Sequence, residues 1–228
     1  MLLIRMLRKL VPLLLLFALA GCVQVEQTLS LDEKGGGTLT IQYAMSKKAL
    51  ADLEARAKAE GGEAAEAAPF SFDEAEVRED FKEYEPLGIT LTDARSWEDA
   101  ESKYIRLSIR FTSLSGVMQT EFFSDRSVSL KRISNEAYEL RQRGMPTEDM
   151  PSETTELMRE ALAGFRATLT METPTDILET NADSHDVRKA TWVFDVDKDA
   201  SALARAQRMD LWVRFSAEGL SLSEYSSQ

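Results

Sequence analysis

Apolar and polar residues alternate along several stretches of this chain, and this period of two constrains the fold more than any other feature. Val23, Val25, Leu29 and Leu31 share one side of the pattern, with mostly polar residues on the other. In a strand, successive side chains point to opposite faces of the sheet. Residues 23 to 31 are therefore predicted to form a strand with one buried face.

A glycine-rich turn follows this strand. The segment Asp32-Glu33-Lys34-Gly35-Gly36-Gly37 precedes a second alternating stretch from Leu39 to Met45, an arrangement typical of a β-hairpin. A phosphate-binding loop would open a helix and end in Lys followed by Ser or Thr, and this segment does neither. We interpret Gly35 to Gly37 as a turn.

Periodicity and capping residues assign most of the other segments. Predicted helices cover residues 46 to 58, 73 to 84, 153 to 164 and 200 to 208, and Ser46 caps the first of them. Predicted strands include residues 89 to 91, 105 to 111, 165 to 171, 192 to 196 and 209 to 215. A further hairpin is expected to join residues 128 to 130 to residues 138 to 140.

Two segments interrupt this pattern. Residues 61 to 69 contain only Gly, Glu and Ala before a final Pro, and such a composition buries too little surface to offset the entropy of ordering. We predict a mobile linker there. The polar, proline-bearing segment 144 to 152 marks a candidate internal boundary.

Strands in hairpins, interrupted by a few helices, are typical of one fold class. The chain lacks the regular strand-helix alternation of a parallel sheet. We predict an α+β fold over residues 22 to 228, with a mainly antiparallel β-sheet and a few amphipathic helices packed on it.

The N-terminus has the layout of a signal peptide. Arg5, Arg8 and Lys9 precede an apolar stretch from Leu10 to Ala20, and a basic segment followed by a short apolar one directs export. Crossing a bilayer as a helix takes about 20 apolar residues. The shorter stretch here favours a cleaved signal over a membrane-spanning anchor.

The end of this stretch resembles the lipobox of bacterial lipoproteins. The motif is Leu19-Ala20-Gly21-Cys22, and Cys22 is the single cysteine of the chain. The resemblance implies removal of residues 1 to 21 by cleavage between Gly21 and Cys22, with lipid attached to Cys22. Residue 23 is Val rather than Asp, which by the sorting rule of such proteins implies the outer membrane, facing the periplasm, in a host with two membranes.

Charge and cysteine usage exclude several classes of function. The formal net charge is −12 and becomes −15 without the signal segment, which holds three basic residues and no acid. Nucleic-acid binding draws on clustered Lys and Arg, so a nucleic-acid partner is not expected. Without a cysteine after Cys22, and with His185 as the single histidine, we expect no disulfide, no metal site and no cofactor.

Two motifs with catalytic or metal-binding residue types are interpreted as structural. Asp195, Asp197 and Asp199 have the spacing of the first three ligands of an EF-hand calcium loop. However, Ala200 stands where that loop requires Gly, and Ala206 stands where it requires its final Glu. Ser184-His185-Asp186 places three catalytic residue types side by side, whereas a triad assembles in space from separate elements. We read it as a polar loop and predict no catalytic residue and no enzymatic activity.

The tryptophans are the candidates for contact with an apolar ligand. Trp192 and Trp212 are the candidate ligand-binding residues, and Trp97 is a weaker one. Trp212 is singled out because it lies on the side of its strand opposite Leu211 and Val213. Packing in the core or at a sheet edge is the competing interpretation for each.

The chain also resembles LppM-type bacterial lipoproteins. The resemblance rests on the early glycine-rich hairpin after Cys22, on the run from Pro174 to Ala182 and on Thr191-Trp192-Val193-Phe194. It implies an envelope domain of mixed α and β structure that binds a lipid-like ligand. Many members carry a C-terminal membrane segment, whereas this chain ends in the polar residues 221 to 228.

The sequence thus predicts an envelope lipoprotein, held on the membrane by its N-terminal lipid. We expect a non-catalytic binding module for a hydrophobic ligand or another envelope component. Two alternatives remain open: a tethered hydrolase of envelope polymers that uses carboxylates, and a structural subunit whose exposed sheet edge pairs with a partner strand.

Overall fold

The computed structural model describes residues 23 to 59, 70 to 120, 126 to 144 and 162 to 226. The predicted signal segment 1 to 21, Cys22 and the predicted linker 61 to 69 lie outside the described residues. So do nearly all of the candidate boundary at 144 to 152 and most of the predicted helix 153 to 164.

Twelve strands occur in the described ranges, and they form two sheets. The strands are β1 (Val23–Leu31), β2 (Gly37–Ser46), β3 (Ile89–Glu98), β4 (Ser102–Phe111), β5 (Arg126–Arg132), β6 (Ala137–Gly144), β7 (Arg166–Glu172), β8 (Ile177–Thr180), β9 (Ser184–His185), β10 (Lys189–Asp195), β11 (Asp210–Ser216) and β12 (Tyr225–Ser226). The large sheet has the order β3-β4-β2-β1-β7-β10-β9, and the small sheet has the order β12-β5-β6-β11-β8.

Short helices connect and cover these strands. They are α1 (Lys47–Ala59), α2 (Glu74–Asp80), a 3-10 helix (Phe81–Leu87), α3 (Leu114–Val117) and α4 (Ala202–Arg208). The predicted α+β class with mainly antiparallel pairing is confirmed. The one parallel pair among the described strands joins β1 to β7 at the centre of the large sheet.

The first hairpin forms as predicted. Strands β1 and β2 pair from Val23 opposite Met45 to Leu31 opposite Gly37. In the turn, one carboxylate oxygen of Asp32 accepts hydrogen bonds from the backbone N–H groups of Lys34 and Gly36, at 2.8 and 3.0 Å. Gly35 has a φ of 84°, a conformation that glycine adopts without the steric penalty of a side chain.

The predicted second helix is shorter than expected. Asp73 caps α2 by accepting from the backbone N–H groups of Ala75 and Glu76, and the α-helix ends at Asp80. The chain continues as a 3-10 helix that contains Pro86 and ends at Gly88, with a φ of 77°. Pro86 lacks a backbone N–H and so cannot donate the bond that would extend an α-helix.

The core lies between the two sheets. Alternate residues of the large sheet face the small sheet, and one buried cluster contains side chains from both. Its fully buried members include Leu29, Leu39, Ile109, Leu130 and Phe215. A smaller cluster lies where α1 covers the start of the hairpin, with Ala49 and Leu53 packed on Val23 and Met45.

The outer face of the large sheet carries the residues that alternate with the core. Thr28, Thr40, Ser108 and their neighbours on adjacent strands lie on this face. It also carries arginines in β3 and β4 that are exposed to solvent. The hairpin therefore separates a packed inner face from a polar outer face, as its alternation predicts.

Candidate functional site

A cleft lies at the end of the large sheet, between the turn that joins β1 to β2 and the C-terminal end of β4. It has a volume of about 450 Å³ and is lined by Ser30, Leu31, Asp32, Lys34, Gly36, Gly37, Thr38, Arg110, Phe111 and Thr112. We call it the turn cleft. Ligand sites in proteins span roughly 300 to 1,000 Å³, so its size suits a small molecule or one unit of a larger one.

Glycines allow the hairpin to approach β4 closely enough to form this cleft. A Cβ atom on Gly37 would lie 2.0 Å from the carbonyl oxygen of Ser30 and 2.8 Å from the ring of Phe111. A Cβ atom on Gly36 would lie 2.9 Å from the carbonyl oxygen of Phe111. The glycine run therefore sets the wall of the cleft as well as the turn.

The floor of the turn cleft is apolar and its rim is polar. Leu31 and Phe111 are 5% and 2% exposed, so each contributes only a small area of apolar surface to the base of the cleft. Ser30, Thr38 and Thr112 add hydroxyl groups. The Ser30 hydroxyl donates to a carboxylate oxygen of Glu172, which fixes one wall against β7.

Two cations line this cleft without a carboxylate partner. Lys34 and Arg110 are exposed, and neither lies within 4 Å of a carboxylate oxygen in the described part of the chain. Asp32 lies beside them, but one of its oxygens already accepts two backbone hydrogen bonds. In a chain with a net charge of −12, two unpaired cations in one cleft favour a ligand that carries an anionic group.

Trp192, a predicted ligand-binding residue, lies in the core. Its side chain is 2% exposed, and its indole N–H lies 3.2 Å from both the backbone and the side-chain oxygen of Asn181. This geometry satisfies its single polar atom. Trp192 therefore holds β10 against the segment before β9, and the turn cleft does not include it.

Trp212, the other candidate, lies on the outer face of the small sheet. It is half-buried there, and the guanidinium of Arg214 stacks over its ring at 4.8 Å. Trp97 lies on the outer face of the large sheet, stacked on Tyr104 with the ring centroids 5.1 Å apart. The structure does not bring the three tryptophans together into one site.

An ion-pair network surrounds Trp212 on the small sheet. Arg141 pairs with both carboxylate oxygens of Asp210, and Arg214 bridges Glu139 and Glu179 at 2.9 and 2.5 Å. The hydrogen bonds from Arg141 hold the pKa of Asp210 below its usual value. Because all these arginines have carboxylate partners, the network resembles a structural bridge across β6, β11 and β8 more than a ligand site.

Asp210→Asn is expected to lower the free energy of unfolding at pH 7 by about 1 kcal/mol, the range of partly exposed ion pairs. The side chain of Asp210 is 41% exposed, which limits the effect. Because the folded-state pKa of Asp210 lies below its unfolded value of 3.8, the charged carboxylate stabilises the protein fully at pH values above 3.8. That stabilisation is lost as the pH falls through the folded-state pKa. Urea unfolding at pH 7 and pH 3 should show the difference shrinking at pH 3.

Asp52→Asn provides the control for this change. Asp52 is exposed on α1 and has no ion-pair partner in the described ranges. The control should unfold like the unmodified protein at both pH values. A difference between Asp210→Asn and the unmodified protein that stays constant with pH would contradict a stabilising charge on Asp210.

The motifs interpreted as structural lie in a turn before α4 and at a sheet edge. Asp195 and Asp199 accept backbone hydrogen bonds in the turn before α4. Ser184 and His185 form the two-residue edge strand β9 rather than a loop, because they pair with Thr191 and Ala190. In the described part of the chain, no group of three or more His, Cys, Asp or Glu is arranged to hold a metal ion.

Lys34 and Arg110 are not among the residues predicted from the sequence. The glycine run draws attention to the turn, but nothing local places Arg110 beside it. That proximity depends on the register of β2 with β4, in which Thr38 lies opposite Arg110.

Within the described residues, no helix is both long and apolar enough to cross a membrane.

Comparison with known proteins finds likeness among solved structures but not among family models or curated proteins. No protein-family model matches the chain, and no curated protein matches it. Among solved structures, it is similar to the folded domain of LppM from Mycobacterium tuberculosis, determined by NMR. The sequence identity is 11%, the match covers 86% of this chain and 90% of that one, and the TM-score is 0.48. The likeness is a loose one of fold and brings no activity or site residue with it.

Proposed function

We propose that this protein is an envelope lipoprotein, tethered through lipid on Cys22, that acts as a non-catalytic binding module. Its ligand is an envelope component that carries an anionic group, and the turn cleft is the site. The observation that carries this proposal is a pair of cations, Lys34 and Arg110, on the rim of a cleft with an apolar floor. Neither has a carboxylate partner among the described residues.

The position of the cleft relative to the anchor supports this role. Strand β1 begins at Val23, directly after Cys22, and the cleft lies at its other end, at Leu31. At about 3.3 Å per residue, the eight steps along β1 span roughly 26 Å. The cleft therefore lies at the end of β1 that is farther from the proposed tether.

The chemistry of the lining narrows the ligand. Lys34 and Arg110 are suited to a carboxylate or phosphate, and the hydroxyls of Ser30 and Thr38 to further polar groups. Leu31 and Phe111 add a small apolar floor. A ligand with an anionic head and a compact apolar part suits this lining better than the wholly hydrophobic ligand expected from the tryptophans.

Native mass spectrometry tests this proposal directly. We expect the full-length protein, extracted from its host membrane in mild detergent, to retain a non-covalent component that is released on denaturation. Lys34→Gln combined with Arg110→Gln should abolish that retention. Removing the charges leaves the polar rim without its anion-binding groups while the buried floor stays unchanged.

The control replaces two exposed cations far from the cleft. Lys48→Gln combined with Lys58→Gln removes the same charge from α1 and should leave retention unchanged. Absence of any released component from the unmodified protein would contradict the proposal. Equal retention by the cleft variant would do so as well.

A further inference from the structure

Three arginines form a strip on the outer face of β3 and β4. Arg106 and Arg110 lie four residues apart on the same side of β4, and Arg95 of β3 lies directly opposite Arg106. All three are exposed. We call Arg95, Arg106 and Arg110 the arginine strip; its last member is also on the rim of the turn cleft.

The arginine strip lacks counter-charges among the described residues. None of its guanidinium groups lies within 4 Å of a carboxylate oxygen there. Asp93, on the same face of β3, lies 3.8 Å from Arg78, and Glu26 of β1 is separated from Arg106 by Gln42 of β2. Like charges directly opposite each other destabilise a strand pair, so the pairing of Arg95 with Arg106 is unfavourable unless an anion binds there.

Groups suited to sugar recognition continue from the strip. Trp97 and Tyr104 stack with an interplanar angle of 1° next to Arg95 and Arg106 on the same face. A row of partly or fully exposed hydroxyl residues crosses the sheet beside them, formed by Ser108, Thr40, Thr28, Thr191 and Ser184, with the buried Thr170 between Thr28 and Thr191. Ring faces and hydroxyls provide apolar contact and hydrogen bonds for polyhydroxylated chains.

The dimensions of this face indicate an extended partner. The six steps along β4 from Tyr104 to Arg110 span roughly 20 Å at about 3.3 Å per residue, and Lys34 lies beyond Arg110 in the turn cleft. A monosaccharide could contact the neighbouring Arg95 and Arg106 but would not reach Arg110 and Lys34 as well. A chain with repeated negative charges can contact all of them together.

We infer that the outer face of β3, β4 and β2 binds an anionic polysaccharide, whose carboxylate or phosphate groups pair with Arg95, Arg106 and Arg110. This inference rests on the proposed function, because it names the class of envelope component that continues from the turn cleft. The strong net negative charge of the protein disfavours an anionic partner over most of its surface, whereas this face carries three arginines that have no carboxylate partner among the described residues.

The test measures binding of the full-length protein in detergent to polygalacturonate, a carboxylate-bearing polysaccharide. Its fully methyl-esterified form has the same sugar backbone without the charges. We expect salt-sensitive binding to polygalacturonate and none to the ester. Arg95→Gln combined with Arg106→Gln should weaken binding about tenfold or more, because two charge-assisted contacts are lost.

Lys131→Gln combined with Arg208→Gln is the matched control, since both residues are exposed, have no carboxylate partner among the described residues and lie outside β2, β3 and β4. It should bind like the unmodified protein. Equal binding of the ester, or equal loss in both double variants, would overturn the inference. So would tighter binding of anionic lipid vesicles or of a single-stranded oligonucleotide than of polygalacturonate.

A phosphate-bearing polysaccharide distinguishes the two sources of charge. If a teichoic-acid-type polymer competes with polygalacturonate, the same face binds phosphate and carboxylate groups. If the protein binds the phosphate polymer but not polygalacturonate, the face is specific for phosphate. Neither Arg95 nor Arg106 lines the turn cleft. If the Arg95→Gln, Arg106→Gln variant loses polymer binding but keeps the component seen by native mass spectrometry, the proposed function of the turn cleft stands. If the unmodified protein neither retains a component nor binds the polymer, both proposals are rejected.

Discussion

We expect a Cys22→Ala variant to move from the membrane to the soluble periplasmic fraction. In this variant an ordinary secretory signal replaces residues 1 to 21, so that the chain is still exported. Two or more acyl chains hold a protein stably on a bilayer. Fractionation followed by immunoblotting measures the shift, which should be nearly complete.

The parent protein, with residues 1 to 21 and Cys22 unchanged, is the reference for this experiment. Its N-terminal peptide should carry the mass of attached acyl chains, and labelled palmitate should be incorporated. The ordinary signal is used because an uncleaved lipoprotein signal could itself retain the variant. Membrane association of the Cys22→Ala protein equal to that of the parent would show that another part of the chain binds the membrane.

Phe215→Ala is expected to lower the free energy of unfolding by about 3 to 5 kcal/mol, the usual cost of deleting a buried aromatic side chain. Phe215 is 0% exposed on β11, and its ring lies 5.9 Å from that of Tyr138 on the paired strand β6. Domains are stable by about 5 to 15 kcal/mol in total. The change therefore removes a large part of the stability, and urea unfolding of the soluble Cys22→Ala form measures it.

Two further variants separate packing from other effects. Phe215→Leu keeps most of the volume and should cost less than half as much. Leu178→Ala removes a side chain that is 58% exposed and should change the unfolding free energy by about 0.5 kcal/mol or less. A loss below about 1 kcal/mol for Phe215→Ala would contradict the placement of this ring between the two sheets.

The local elements could be predicted because their signals are local. The alternation from Val23 to Leu31, the glycine turn and the capping residue Ser46 each specify a strand, a turn or a helix start within a few residues, and the structure has them there. Strands β8, β9 and β12 were missed because two to four residues are too few to show a period of two.

The arrangement of the sheets and of the candidate site could not be predicted in the same way. The pairing of β1 with β7 joins Gln24 to Arg166, and no local pattern encodes that register. Trp192 and Trp212 were selected by residue type, yet one is a hydrogen-bonded core residue and the other lies beneath Arg214. Lys34 and Arg110 become neighbours of one cleft only through the register of the hairpin with β4.

The central parallel pair has a consequence for how the chain folds. Strand β1 can pair with β2 as soon as the hairpin has emerged on the far side of the membrane during export, but its other edge has no partner until β7, more than a hundred residues later, is available. Contacts of such high sequence separation raise the contact order and slow folding. During that interval an apolar strand edge is open to pairing with another chain, so this protein should need a holding chaperone until its C-terminal third has arrived.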